Sequence, residues 1–130
     1  VVIDTSALLA ILQDEPERPA LARAISEDPI RLVCCVSVVE ASLVILARFG
    51  QDGLDELDLL LGRIGAKVSS FSAQDIPLAR QAYARFGKGR HPAGLNFGDC
   101  FSYALAVSLN EPLLFKGGDF SQTDVARVAW

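Results

Sequence analysis

Short β-branched runs and longer helical patterns alternate along this chain. Residues 1–3 (Val-Val-Ile) are apolar without a break and lead straight to a carboxylate, Asp4. Such a run predicts a short strand buried on both faces. Leu8, Leu9, Ile11 and Leu12 then predict a helix starting near Ser6. A turn or lid rich in proline and acid covers 13–19, and a second helix is expected over about 19–27, ended by Asp28-Pro29. Residues 30–36 read as a second buried strand ending at Ser37. The helix expected over 38–49 is too apolar for one covered face, so it is either central or packed on a partner. Gly50 should stop it. A leucine-rich helix follows over 54–64, capped by Asp52 or Gly53 and ended by Gly65. A less buried strand is expected over 67–71 and a helix over 73–86, with Pro77 tolerated in its first turn. A glycine-rich loop occupies 87–95, a helix 96–109 and a strand 112–115. Residues 125–129 are a candidate last edge strand.

Helices fall between the strands and no tight hairpin is indicated. This pattern predicts an α/β protein, an α/β/α sandwich with a mainly parallel central sheet. The 130 residues suit one domain, 1–130, with a substantial core and no linker or repeat. Apolar residues make up 51% and charged ones 22%, which excludes a disordered chain. Cys34, Cys35 and Cys100 are odd in number and match no zinc spacing, so buried thiols in a reducing compartment are expected. No run of 18 apolar residues is present. The expectation is a cytoplasmic protein that meets no membrane.

Net charge is -4, which by itself argues against a nucleic-acid binder. The argument weakens if a metal neutralises part of the acid. Setting aside Asp4, Glu40, Asp99 and Asp119 leaves 12 acids against 12 basic residues. Each of the four has a local reading. Asp4 could simply cap a helix, as could Thr5 or Ser6. Ser37-Val38-Val39-Glu40 fits capping-box spacing, and Asn96-Phe97-Gly98-Asp99 repeats it. Asp119 follows two glycines and is poorly explained that way. In a parallel sheet, however, strand ends and the starts of following helices share one rim, where ligands bind. Carboxylates gathered there repel unless a cation is present. Oxygen donors without a Cys or His pair suit Mg²⁺, with Mn²⁺ as a substitute, better than zinc. An all-carboxylate site of this kind suits phosphodiester hydrolysis.

Four segments together resemble the PIN-domain ribonucleases, and more closely the toxins of bacterial VapBC toxin–antitoxin pairs. They are Val2-Ile3-Asp4-Thr5-Ser6, Ser37-Val38-Val39-Glu40, Asn96-Phe97-Gly98-Asp99-Cys100 and the stretch from Leu113 to Phe120. The resemblance covers nearly the whole chain and rests on their order and spacing. It implies a PIN-like fold and a Mg²⁺- or Mn²⁺-dependent endoribonuclease that leaves a 5′-phosphate and a 3′-hydroxyl. It implies Asp4, Glu40, Asp99 and Asp119 as catalytic and metal-binding residues, supported by Thr5 or Ser6. It also implies a VapB-like antitoxin partner and a homodimer. Gly118 departs from the pattern, since related members often carry Asn or Asp there, and Asp124 is a candidate compensation.

Lys88, Arg90 and His91 precede the Asn96–Asp99 turn, and Lys116 lies three residues before Asp119. All four are candidate contacts to RNA phosphates. Phe97 and Phe120 are candidates for stacking on bases, with core burial as the alternative. Two rival functions remain compatible with the sequence. A receiver-like phosphoacceptor domain would use one Asp as nucleophile and Lys116 nearby. A non-catalytic RNA-binding module would carry the acids without cleavage.

Overall fold

The computed structural model describes residues 1–130. Four short strands, β1 (Val2–Ile3), β2 (Leu32–Cys34), β3 (Lys67–Ser69) and β4 (Leu113–Leu114), form one sheet in the order β3-β2-β1-β4. Every pairing is parallel, with Val2 beside Leu32 and Leu113, and Cys34 beside Ser69. The helices are α1 (Thr5–Leu12), α2 (Arg18–Glu27), α3 (Cys35–Arg63), α4 (Ile76–Phe86) and α5 (Phe97–Leu109). The α/β sandwich with a parallel sheet is therefore the observed architecture. No helix is long and apolar enough to cross a membrane.

Alternating strand side chains split the core into two halves. Ile3, Val33 and Leu114 face one way and pack with Ala7, Leu8, Ile11, Leu21 and Ile25 of α1 and α2. Val2, Cys34 and Leu113 face the other way, against Ala82 and Phe86 of α4 and Tyr103, Leu105 and Ala106 of α5. Ile3, Leu113 and Leu114 are fully buried. Each such side chain contributes roughly 1.5–3 kcal/mol by leaving water. Two- and three-residue strands are adequate here because both faces of the sheet are covered.

Several sequence expectations are corrected. β2 is shorter than 30–36, because its neighbours β1 and β3 offer only two and three residues to pair with. The chain turns into α3 at Cys35, two residues before Ser37. Ser37 is thus not an N-cap, and Glu40 does not complete a capping box. Cys34 occupies the cap position with no side-chain bond. The helices expected over 38–49 and 54–64 run as one element, broken at Gly50, where φ of 65° is left-handed. Residues 73–75 form a 3-10 turn before α4 rather than its first turn. Residues 125–129 do not form a strand; they meet β4 at one bridge, Leu113 to Arg127.

Strand order matters for the site. From β1 the chain winds outward through β2 to β3, then crosses back to place β4 on the other side of β1. After β1 it enters α1 on one face; after β4 it leads to Phe120, buried in the opposite half of the core. Diverging exits from neighbouring strand ends open a crevice at the sheet's carboxyl edge.

Candidate active site

Asp4 stands at that crevice, directly after β1. It is only 3% exposed and caps α1 by accepting from Ser6 N at 2.9 Å. The Ser6 hydroxyl donates to the same oxygen, Oδ2, at 2.6 Å and accepts from Lys116 N at 3.0 Å. One serine thereby ties the carboxylate after β1 to the backbone after β4. Both bonds fall on Oδ2, which leaves Oδ1 for another partner. A buried carboxylate needs such donors, because desolvation otherwise drives it to the neutral form.

Asp99 is held by the first turn of α5. Its N–H donates to Asn96 Oδ1 at 3.0 Å, and its Oδ2 accepts from Asn96 N at 3.0 Å. This is the reciprocal capping box expected from the Asn96–Asp99 spacing. Glu40 reaches the same helix start from α3. Its carboxylate lies so close to Gly98 that a Cβ there would stand 1.8 Å from Oε2. A larger residue at Gly98 would push the Glu40 carboxylate, the flexible end of its side chain, away from this helix start. The helix N-terminus also favours negative charge beside it.

These acids act on one another. Burial, opposed by the bond from Asn96 and aided by the charges of Asp4, Asp119 and Glu40, pushes the Asp99 carboxyl up to about 7. Carboxylates from β1, α3, α5 and the loop after β4 thus share one electrostatic neighbourhood. They do not close into a ready-made cage: no three acidic, His or Cys groups stand where they could together hold a metal ion. Like charges without a counter-ion stand apart, so the two observations are compatible. The donor chemistry, carboxylate oxygen only, fits a hard divalent cation.

A model of the PIN domain matches residues 1–126. Ribonuclease VapC of Mycolicibacterium smegmatis is 53% identical over 128 residues, covering 98% of this chain and 99% of that protein. Ribonuclease VapC30 of Mycobacterium tuberculosis is 53% identical over 129 residues, covering 99% and 98%. The chain belongs to the PIN-domain family, among its VapC ribonuclease toxins. Toxin action as a ribonuclease within a toxin–antitoxin system is the function this membership carries. Solved structures agree on the fold. The sarcin-ricin-loop-cleaving toxin VapC20 of M. tuberculosis superposes with a TM-score of 0.79 at 17% identity, covering 98% and 97% of the two chains. VapBC2 of Rickettsia felis, bound to promoter DNA, gives 0.76 at 12% identity over 98% and 96%. The PIN match over almost the whole chain sets aside the receiver-like alternative.

The other candidate residues of this VapC-type chain fall in separate places. Thr5 donates to the Ser37 carbonyl at 3.3 Å rather than to an acid. Lys88 and Arg90 are exposed, and the Arg90 guanidinium lies 6.0 Å from the Tyr83 ring centroid. His91 accepts from Ala93 N through Nδ1 at 3.1 Å and meets Phe86 edge-on. Lys116 is engaged by Glu15, and by Glu17 at 3.3 Å, an arrangement that raises the pKa of its ammonium group. Phe120 is buried against Phe115. Asp124 accepts from the Tyr103 hydroxyl at 2.7 Å and pairs with Arg85 at 2.9 Å. Burial and Asp124 together push that tyrosine up to about 12.

Sequence reasoning missed a polar tie beneath the acids. The Ser37 and Ser102 hydroxyls are 3.1 Å apart and fully buried, and join α3 to α5. With Thr5 on the Ser37 carbonyl, this tie fixes the starts of α1 and α3 against the middle of α5. Ser102 lies in an otherwise apolar stretch of α5, a signal that a partner must exist. Gly98 and the Glu15 and Glu17 contacts to Lys116 had no such signal, because they arise only in three dimensions.

Proposed function

We propose that Asp4, Glu40, Asp99 and Asp119 together hold Mg²⁺, with Mn²⁺ as a substitute, and that the protein uses them to hydrolyse RNA phosphodiester bonds. One observation carries this reading: Asp4, Glu40 and Asp119 all press on the Asp99 carboxyl at the crevice where the sheet reverses. The chemistry such a hard cation would supply, held by these four carboxylates, is activation of water and neutralisation of charge at the scissile phosphate. The protein's own groups set the geometry. Ser6 fixes Asp4, the Asn96 cap fixes Asp99, and Gly98 leaves room for Glu40. Without a cation, burial and the neighbouring acids hold the Asp99 carboxyl at about 7, and a cation held among them would keep it ionised.

Lys88 and Arg90 supply positive charge for the RNA backbone, neutral His91 offers a ring N–H, and Lys116 joins them when it leaves Glu15 and Glu17. A VapB-like antitoxin and a second copy of the chain are the proposed protein partners. Val39, Leu43, Leu46 and Phe49 remain exposed on α3, and the first three follow helical spacing. This stripe begins beside Glu40, which suits a partner surface that also reaches the site.

The test is cleavage of total cellular RNA by free wild-type protein and by Asp99→Asn, with Mg²⁺, Mn²⁺ or chelator, and with cut ends mapped. Cleavage by the wild type with metal alone is expected. Equal cleavage by Asp99→Asn, or undiminished cleavage in chelator, would overturn the assignment. Binding without cleavage under either metal would favour a non-catalytic RNA-binding module.

A further inference from the structure

Phe97 is the first residue of α5 and lies two positions before Asp99, yet it is 75% exposed. No other large apolar side chain in the protein is as exposed. Leaving a phenylalanine ring in water forgoes the burial that normally places it in a core. The ring is nevertheless well oriented. It meets Phe101 edge-on at 4.8 Å, and Phe101 meets Phe71 the same way at 4.7 Å. Phe97 therefore ends a supported row of three aromatics.

The row borders an open groove of about 560 Å³ between α4 and α5, lined in part by Arg80, Tyr83, Lys88, Asn96, Phe97 and Phe101. The groove wall includes Asn96, the residue that caps α5 and bonds Asp99. The groove thus shares a wall residue with the acidic site. Tyr83 is 41% exposed, and its hydroxyl donates to the Lys88 carbonyl at 3.4 Å. Arg80, Lys88 and Arg90 form no ion pair in the protein. These three cations are therefore free to meet negative charge near the aromatic floor. Together they complement an occupant that is flat, aromatic and attached to negative charge.

We propose that this groove is a nucleobase subsite: a base of single-stranded RNA next to the scissile phosphate stacks on Phe97, while Lys88 and Arg80 hold the flanking phosphates. The proposal rests on the ribonuclease reading above and adds a substrate preference to it. RNA whose bases are free to leave their stack fits the groove, and a continuous duplex does not. Aromatic stacking tolerates every base, so the subsite selects for an unpaired nucleotide more than for a sequence.

The test uses single-stranded oligoribonucleotides carrying 2-aminopurine, with chelator present so that no strand is cut, and in parallel a cleavage assay with Mg²⁺. Wild-type protein should quench the fluorescent base on binding. Phe97→Ala should weaken binding about 5- to 150-fold, the range of a lost base–aromatic stack, and raise KM more than it lowers kcat. Phe97→Trp should restore binding, and Phe97→Leu should resemble Phe97→Ala, because leucine keeps apolar area without an aromatic face. Removing the base from the oligonucleotide should cause a similar loss in the wild type and little further loss in Phe97→Ala.

Equal binding and quenching by wild type and Phe97→Ala would overturn the proposal. Rescue by Phe97→Leu as complete as by Phe97→Trp would do the same. If Phe97→Ala leaves RNA binding intact but dissociates a dimer in sedimentation, the groove belongs to a second copy of the chain. If it instead abolishes binding of an antitoxin, the groove belongs to that protein. Quenching retained by a wild type that cleaves no RNA with either metal would sink the nuclease reading and leave the base subsite standing.

Discussion

The acids at the starts of α1 and α5 are held differently from the acid that follows β4. Asp4 is buried and accepts two bonds from Ser6, and Asp99 is locked in a reciprocal box with Asn96. Asp119 is exposed and follows Gly117, whose φ is 103°, and Gly118. It makes no side-chain cap bond, and the nearest anchor is its buried neighbour Phe120. One side of the site is thus built into secondary structure, and the other is carried on a loop. On the proposed reading, Asp4 and Asp99 keep their places when a cation binds, and Asp119 is drawn in by its charge. That reading makes Asp4 and Asp99 the preorganised groups and Asp119 the adjustable one.

The comparison is tested most severely at its rigid side. Asp4→Asn or Asp99→Asn should reduce RNA cleavage by at least about a hundredfold, since several kcal/mol of transition-state stabilisation is lost. Single-turnover rates on RNA would measure this, with circular dichroism to show that the fold persists. Gly98→Ala should come next. Its Cβ would displace the flexible Glu40 carboxylate, so cleavage should fall by roughly tenfold or more while stability changes little. Retained activity would mean that Glu40 does not work from its present position.

Asp119→Asn should have a smaller effect, about tenfold, and rising Mg²⁺ should recover much of it. That behaviour belongs to a group that adds charge without setting geometry. An effect as large as that of Asp99→Asn, insensitive to Mg²⁺, would erase the distinction between the two sides. Ser6→Ala should act mainly on stability. It removes a hydroxyl bond to a buried carboxylate, worth about 1.5–3 kcal/mol, and releases the Lys116 N–H. Thermal unfolding would report it.

A further test is pH dependence. Folding raises the Asp99 pKa, so the folded chain holds that proton more tightly than the unfolded chain does. The corresponding stability is complete at pH values below the ordinary carboxylate range. It is lost as pH rises through about 7, and little changes above that. Unfolding temperatures of metal-free protein across this window should decline with pH, and Mg²⁺ should flatten the curve.

Much of this was legible in the sequence, and unevenly so. β1 and Asp4 were readable because a β-branched run ended abruptly on a carboxylate. The Asn96–Asp99 box was readable because a capping motif is local. The same motif misled at Ser37–Glu40, where the spacing fits but α3 begins at Cys35. Tertiary packing decides there: the Ser37 hydroxyl is used to hold Ser102, so it is not available as a cap. Gly98 looked like an ordinary helix residue and proves to be the space that Glu40 occupies. Lys116 looked free for RNA and is shared by Glu15 and Glu17, acids about a hundred residues away. Contacts between distant segments leave no periodic trace, so the sequence marked which acids gather and could not mark what holds them.

The central claim is that four distant carboxylates form one site for a hard cation. Carboxyl NMR of the metal-free protein, followed by titration with Mg²⁺, tests it most directly. The account predicts that Asp99 titrates near 7 without metal, and that Mg²⁺ lowers this value while shifting the Asp4, Glu40 and Asp119 signals together. An ordinary pKa near 4 for Asp99, with no response of the four signals to Mg²⁺, would contradict it.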